Sequence, residues 1–163
     1  MLDRLMMSLL KRKKTRRTGG IYRRSDWIII HPINKATSGI GIASPPVFRV
    51  SVGASQEEIG QAIVAALAAF TSEVPHPSNW TNHGKEFLKA AGFRSWRALE
   101  KDAVYCNFSD DGDTFRFQPL RYGGTHGDKK GFQPFEASEV VVSSAVSVAE
   151  IGEAALEALR RAC

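Results

Sequence analysis

The chain has few cysteines and no long apolar run. Cys106 and Cys163 are its two cysteines among 163 residues, too few for a disulfide framework, so we expect a reduced setting. No apolar run reaches the roughly 20 residues that a membrane-spanning helix needs. The apolar start contains Asp3 and Arg4 and precedes its basic block, which is atypical of a secretory signal. We therefore expect a cytoplasmic protein without a membrane segment.

The chain also has few metal-binding residue types, and they are scattered. Its four histidines lie far apart, with no pair at metal-ligand spacing: His31, His76, His83 and His126. The acidic "DDGD" at 110–113 lacks the alternating oxygen ligands and terminal Glu of a calcium loop, and is typical of a hairpin turn. The glycine-rich "GGTHG" at 123–127 lacks the Lys-Ser/Thr of a phosphate loop. We expect no metal and no cofactor.

Catalytic residues are equally hard to find. Cys106 falls on the apolar face of a predicted strand, where burial raises the pKa of a thiol and makes it inert. Arg121, His126 and Lys129 could together serve a small hydrolase, but such a set is common by chance in one loop. We expect that the protein is not an enzyme, with a small hydrolase as the weakest alternative.

The positive charge is concentrated at the start of the chain. The formal net charge is +5, yet residues 1–24 hold nine of the 22 Lys and Arg and one of the 17 acids. Residues 25–163 consequently carry a net charge of −3. We therefore divide the chain into a basic, flexible N-terminal extension at 1–24 and a single domain at 25–163. A basic arm that binds nucleic acid is the alternative function.

One helical phrase occurs twice. "IGQAIVAAL" at 59–67 returns as "IGEAALEAL" at 151–159, and each copy follows a predicted strand. A Ser and a Glu three residues apart precede each copy as a capping box, Ser55 with Glu58 and Ser147 with Glu150. The glycines inside these helices, Gly60 and Gly152, indicate close approach of each helix to a sheet. We interpret the repeat as scaffold.

The remaining pattern predicts an α+β domain. Strands are indicated over 27–44 (as a hairpin), 47–52, 104–120 (a second hairpin) and 139–144, and helices over 83–92 and from Ser95. We expect a central, mainly antiparallel sheet with packed helices and two strand–loop–helix repeats. In the second hairpin, a two-residue Asp111-Gly112 loop would pair Phe108 with Phe115, leaving a polar face opposite.

Several phrases together resemble the contact-dependent growth inhibition immunity proteins of bacteria, the CdiI type. The resemblance spans about residues 25–161, and "PHPSNW" and "SWRALEK" are its most distinctive parts. The other phrases are "DWIIIHP", "VGASQEEIGQAIVAAL", "LKAAGF", "GGTHGDKKGFQP" and "SVAEIGEAALEAL". The basic N-terminal segment departs from this pattern.

The resemblance implies a small bacterial cytoplasmic protein that binds and blocks the C-terminal toxin domain of a large secreted effector, often a nuclease. Such proteins perform no chemistry, and their contacts differ between lineages, so no site residue carries over. A toxin that binds phosphate presents cationic surface, which makes the acidic hairpin tip our predicted contact. The predicted toxin-binding residues are Asp110, Asp111 and Asp113, followed by Arg121, Tyr122 and His126.

Overall fold

A computed structural model describes residues 15–122, 132–134 and 139–162. Eight strands form one sheet in the described residues. The strands are β1 (Arg17–Arg23), β2 (Trp27–Lys35), β3 (Gly41–Ala43), β4 (Phe48–Ser51), β5 (Val104–Asp110), β6 (Thr114–Tyr122), β7 (Phe132–Pro134) and β8 (Val140–Ser143). The helices are α1 (Gln56–Ala68), α2 (Trp80–Ala91), α3 (Trp96–Glu100) and α4 (Val148–Arg161).

The sheet is antiparallel in all its strand pairings. Its order is β3-β2-β1-β5-β6-β7, with β4 also paired to β2 and β8 also paired to β6. Strand β4 leads into α1, and β8 leads into α4. The predicted α+β class with an antiparallel sheet and packed helices is confirmed.

The predicted domain boundary after residue 24 is wrong. Residues Arg17–Arg23 form β1, which lies in the middle of the sheet between β2 and β5. Within β1, Ile21 is fully buried and Tyr22 nearly so, because both faces of the strand are covered by helices. The charge count is misleading because it groups Arg16, Arg17, Arg23 and Arg24 with the basic block before them. Residues 1–14 lie outside the described part.

The helices begin at capping residues. Ser55 and Ser147 accept hydrogen bonds from the amides of Glu58 and Glu150, as the capping boxes predict. Helix α2 begins at Trp80, earlier than predicted, because the Asn79 side chain accepts a hydrogen bond from the amide of Asn82. Among the described residues, no helix is both long enough and apolar enough to cross a membrane.

The helices cover the two faces of the sheet. On one face, α1 and α4 bury a core that includes Ile21, Ile28, Cys106, Phe108 and Phe117. On the other face, α2 and α3 cover a smaller cluster that contains Tyr22, Ile29, Phe87, Leu99 and Tyr105. This second cover is partial, and it leaves part of its face open.

Gly60 and Gly152 make close contacts, as predicted, but with a neighbouring helix and not with the sheet. A Cβ at Gly60 would lie 1.9 Å from the carbonyl oxygen of Val148, and one at Gly152 would lie 1.8 Å from that of Gln56. These glycines therefore let α1 and α4 approach each other, and not the sheet. Periodicity identifies the buried side of a helix but does not tell whether a strand or another helix packs there.

The second hairpin has its predicted faces but a shifted register. Phe108 pairs with Phe117 and Asp110 with Phe115, so the turn is centred on Gly112 and Asp113. Gly112 has φ +96°, a conformation that favours glycine. The predicted pairing of Phe108 with Phe115 is wrong by two positions, which preserves the alternation and hence the two faces.

Candidate functional site

Asp110, the first predicted contact, is bound within the fold. Its side chain is 7% exposed and forms an ion pair with Arg17, with Oδ2 2.7 Å from Nη2. Oδ1 accepts hydrogen bonds from the Gly112 amide and the Ser144 hydroxyl, both at 2.8 Å. Burial alone would raise the pKa of Asp110, but these hydrogen bonds and the Arg17 charge together lower it. Asp110 thus joins β1, the hairpin turn and the segment after β8.

Asp111 shapes the turn, and Asp113 is exposed. The Asp111 carboxylate accepts hydrogen bonds from the amides of Asp113 and Thr114, at 2.9 and 2.8 Å. These backbone bonds lower the pKa of Asp111, and the charges of Arg116 and Arg16 add smaller contributions. Aspartate commonly stabilises turns in this way.

Arginines lie near two of the three acids of the hairpin tip, Asp110 and Asp111. Arg17 pairs directly with Asp110, and Arg16 and Arg116 lie close enough to Asp111 to affect its pKa. The toxin contact at this tip stays a prediction, although Asp110 is paired with Arg17 and Asp111 is bound to backbone amides of the turn. Composition could not reveal this, since two of the arginines come from the segment that the charge pattern assigns to a flexible extension.

The other predicted contacts do not join the tip. Arg121 and Tyr122 end β6 at the opposite end of the strand, where their backbones pair with Gln133 and Phe132 of β7. His126 lies outside the described residues. The structure therefore brings together Asp110, Asp111 and Asp113 and does not place Arg121 or Tyr122 beside them.

A groove of about 430 Å³, lined by both polar and apolar residues, occupies the part of the sheet that α2 and α3 leave open. Its floor comes from alternate residues of three central strands: Thr18 of β1, Asn107 and Ser109 of β5, and Arg116 and Gln118 of β6. Successive side chains of a strand point to opposite faces, so β6 buries Phe117 behind the groove, whereas the buried Phe108 of β5 also borders the groove. We name this feature the sheet-face groove.

Cations outnumber acids among the charged residues that line the sheet-face groove. Arg16, Lys35 and Arg116 contribute three cations, and Glu139 is the one acid among its lining residues in the described part. Arg116 and Glu139 are 3.5 Å apart, with side chains 44% and 38% exposed, so solvent screens their attraction. Arg16 also donates a hydrogen bond to the Ser109 hydroxyl. The groove thus keeps an excess of cations over acids.

A buried acceptor in this groove has no protein partner. The Oδ1 atom of Asn107 is buried and makes no hydrogen bond within the described chain. The neighbouring polar side chains have partners within the protein: the Thr18 hydroxyl donates to the Ile33 carbonyl, and the Gln118 amide donates to the Pro119 carbonyl. A buried polar atom without a partner costs free energy, so an incoming N–H group would gain by binding there.

His31 lies beside this region and is uncharged at neutral pH. It is fully buried, its Nδ1 is 2.9 Å from the Pro32 carbonyl oxygen, and its Nε2 has no partner among the described residues. Burial lowers the pKa of His31 to about 4. A Cβ at Gly20 would meet both His31 and the Tyr105 hydroxyl, so the absence of a side chain there makes room for these two rings.

The described residues contain no group of three or more His, Cys, Asp or Glu arranged to hold a metal ion. Cys106 is buried on the apolar face, as predicted, and burial raises the pKa of its thiol. The arrangement on the open face is one of hydrogen-bond donors, acceptors and positive charge. Such a surface is suited to binding.

The comparisons with known proteins identify the family. The family described as "CdiI: CDI immunity protein" matches residues 70–162, more than half of the chain. The chain belongs to the CDI immunity protein family. The matched segment contributes Asn107, Ser109, Arg116, Gln118 and Glu139 to the sheet-face groove. No curated protein sequence matches the chain significantly.

Two solved structures share the fold of this CDI immunity protein. One is a protein of unknown function, NMB0488, from Neisseria meningitidis, with a TM-score of 0.77 and 16% identity over 93% of this chain and 98% of that one. The other is a CdiA-CT/CdiI toxin and immunity complex from Yersinia pseudotuberculosis, with a TM-score of 0.69 and 17% identity over 91% and 98%. At these identities the likeness shows the fold alone.

Helix α2 presents a second surface, built from the phrase "PHPSNW". The ring of Trp80, which is 48% exposed, lies between those of His76 and His83, at centroid distances of 5.3 and 6.4 Å. Tryptophan is enriched among the residues that dominate protein interfaces. This aromatic surface is the second candidate contact of the immunity protein.

Sequence reasoning misses Arg16 and Lys35 as groove residues. The charge pattern places Arg16 in the basic extension. The sequence assigns Lys35 to the turn of the first hairpin, whereas in the structure it is the last residue of β2. The sequence does contain one signal for the groove: the alternation of the second hairpin places Asn107, Arg116 and Gln118 on a polar face. A polar strand face is typical of solvent exposure, and only the strand order shows that these residues line one groove.

Proposed function

We propose that this protein binds the toxin domain of a contact-dependent growth inhibition effector in the bacterial cytoplasm and neutralises it by stoichiometric occlusion. The observation that carries the proposal is the family match over residues 70–162. The fold is also that of a protein solved as a toxin and immunity complex. The sheet-face groove supplies a recessed surface for such a partner.

We further propose that the toxin is a nuclease. The support is the family resemblance, which implies that effectors of this kind often carry nucleases. Incubation of the purified toxin domain with cellular DNA and RNA tests this part directly. Intact nucleic acid, together with growth arrest by the toxin, would assign another activity to the toxin and leave the immunity role standing.

Nucleic-acid binding through the basic N-terminal segment is the alternative, and the described contacts do not favour it. Arg17 is paired with Asp110, and Arg16 donates to Ser109. Arg24 donates to the carbonyls of Leu99 and Lys101, and its guanidinium lies over the Phe93 ring. These arginines hold the fold together, which supports a structural role for this part of the segment.

Co-expression tests the immunity role. Cells that express the toxin domain encoded beside this gene should stop growing, and co-expression of the full chain should restore growth and yield a complex with one copy of each partner. A chain that begins at Ser25 lacks β1 and serves as a control that should not protect. A toxin domain from an unrelated effector should not be neutralised. Continued arrest with the full chain present would refute the proposal.

A further inference from the structure

The sheet-face groove has the chemistry of a site for an acidic polypeptide segment. Its lining carries Arg16, Lys35 and Arg116 against the single acid Glu139 among the described residues. The body of the protein as a whole is close to neutral, because residues 15–163 carry 17 Lys and Arg and 16 Asp and Glu, a net charge of +1. A local cationic groove on a nearly neutral body attracts a partner's carboxylates selectively at this place.

The hydrogen-bonding groups of the groove fit the backbone of such a segment. Asn107 offers a buried acceptor that has no partner within the described chain, which matches a peptide N–H. Arg116 is paired with Glu139 only at 3.5 Å, and both side chains are well exposed, so a carboxylate with better geometry can displace Glu139. A volume of about 430 Å³ accommodates a few side chains and not a whole domain.

We propose that the sheet-face groove receives an acidic segment of the toxin, whose carboxylates bind Lys35 and Arg116 while a backbone N–H binds Asn107. This inference rests on the proposed function, and it names the chemistry of the partner at that interface. The polarity is opposite to that of our sequence-based prediction, in which an acidic tip of this protein meets a cationic toxin. The structure favours the groove because two of the three tip acids are bound within the fold, Asp110 by Arg17 and Asp111 by the amides of Asp113 and Thr114.

Charge reversal in the groove tests this assignment. The double variant Lys35→Glu/Arg116→Glu should bind the purified toxin domain about 100-fold more weakly than wild type at low salt, with slower association. Wild-type affinity should fall as salt rises, and the variant should lose most of this dependence. The matched control is Lys85→Glu/Arg94→Glu, which makes the same charge change at exposed positions outside the groove and should bind within about threefold of wild type.

Two further variants separate the groove from other contacts. Asn107→Ala should weaken binding about tenfold without removing its salt dependence. Trp80→Ala tests the aromatic surface. Thermal unfolding of every variant shows whether it is folded, and reversal of acidic toxin residues to Lys should restore binding to the Lys35→Glu/Arg116→Glu protein.

The outcomes distinguish the inference from the proposed function. If wild type does not bind the toxin, the proposed function fails. If wild type binds and the folded groove variant binds equally well, the function stands and the acidic-segment inference is overturned. Loss of binding through Trp80→Ala alone would assign the contact to the aromatic surface and would also overturn the inference. The free wild-type protein could also self-associate, and the Lys35→Glu/Arg116→Glu variant could fail to do so. That result would make a second copy of the chain the occupant of the groove and would overturn the assignment to a toxin segment.

Discussion

Gly60 and Gly152 make reciprocal contacts at the crossing of α1 and α4. A Cβ on Gly60 would meet the carbonyl of Val148, which lies four residues before Gly152. A Cβ on Gly152 would meet the carbonyl of Gln56, which lies four residues before Gly60. Each helix therefore presents a glycine to the first turn of the other. The backbones approach as closely as they do because both positions lack a side chain.

Alanine at either glycine should destabilise the protein. Alanine is favoured over glycine inside a helix by about 1 kcal/mol, so an uncrowded site would become more stable. Here the clash is with backbone, which cannot move aside cheaply, and we expect a net loss of about 2–4 kcal/mol for Gly60→Ala and for Gly152→Ala. Urea denaturation measures this. Gly53→Ala, whose Cβ would have its nearest contact at 3.8 Å, is the control and should be near neutral. A gain in stability at Gly60 would contradict the account.

Removal of β1 should abolish folding. A chain that begins at Ser25 lacks the strand between β2 and β5, so both partners lose their hydrogen bonds and Asp110 loses Arg17. We expect no dispersed amide spectrum and no cooperative thermal transition. A chain that begins at Thr15 retains every described strand and should unfold cooperatively. A native-like spectrum from the Ser25 chain would show that β1 is dispensable.

Asp110 should matter for stability, and Asp113 should not. Asp110→Asn removes the charge that pairs with Arg17 and weakens bonds from Gly112 and Ser144, with an expected cost of about 1–3 kcal/mol. Because folding lowers the pKa of Asp110, its contribution is present above the ordinary carboxyl range and is lost as pH falls through the folded pKa. Denaturation midpoints measured as a function of pH should show that Asp110→Asn loses less stability on acidification than wild type does. Equal midpoints for Asp110→Asn and the exposed control Asp113→Asn would refute this role.

His31 should make the protein sensitive to mild acid. The unfolded histidine takes up its proton near pH 6.5, but burial lowers the pKa in the folded state to about 4. The unfolded state therefore binds the proton first, and this contribution to stability is lost as pH falls from about 6.5 toward 4. We expect about 2 kcal/mol less stability at about pH 5 than at about pH 7. His31→Gln should remove most of that slope. A His31 ring signal that titrates near pH 6.5 by NMR would contradict the burial.

Local signals are sufficient to predict much of the fold. The capping residues Ser55 and Ser147 mark the starts of α1 and α4, and Gly92, with φ +84°, ends α2 as predicted. The alternation in β5 and β6 assigns their faces correctly even though the predicted turn is misplaced by one residue. These features depend on residues close in sequence, which is why the sequence alone reveals them.

The features that depend on distant residues are not predictable in this way. The role of Arg17 is set by Asp110, 93 residues away, and no local pattern distinguishes it from a solvated arginine. The sheet-face groove combines residues of β1, β2, β5 and β6, so it exists only once the strand order is known. Charge counting along the chain predicts a binding surface at the acids of the hairpin tip. In the structure, Asp110 and Asp111 are bound within the fold, and Arg16, Lys35 and Arg116 line the groove.

Stoichiometric titration of toxin activity tests the central claim most directly. The purified toxin domain, at a concentration far above the dissociation constant, is mixed with increasing amounts of this protein, and the remaining toxin activity is measured. The account predicts a linear fall that reaches zero at one equivalent of wild-type protein. It also predicts substantial remaining activity with one equivalent of Lys35→Glu/Arg116→Glu, and complete inhibition by the Lys85→Glu/Arg94→Glu control. Toxin activity that stays unchanged through an excess of folded wild-type protein would contradict the claim that this chain neutralises its toxin by binding it.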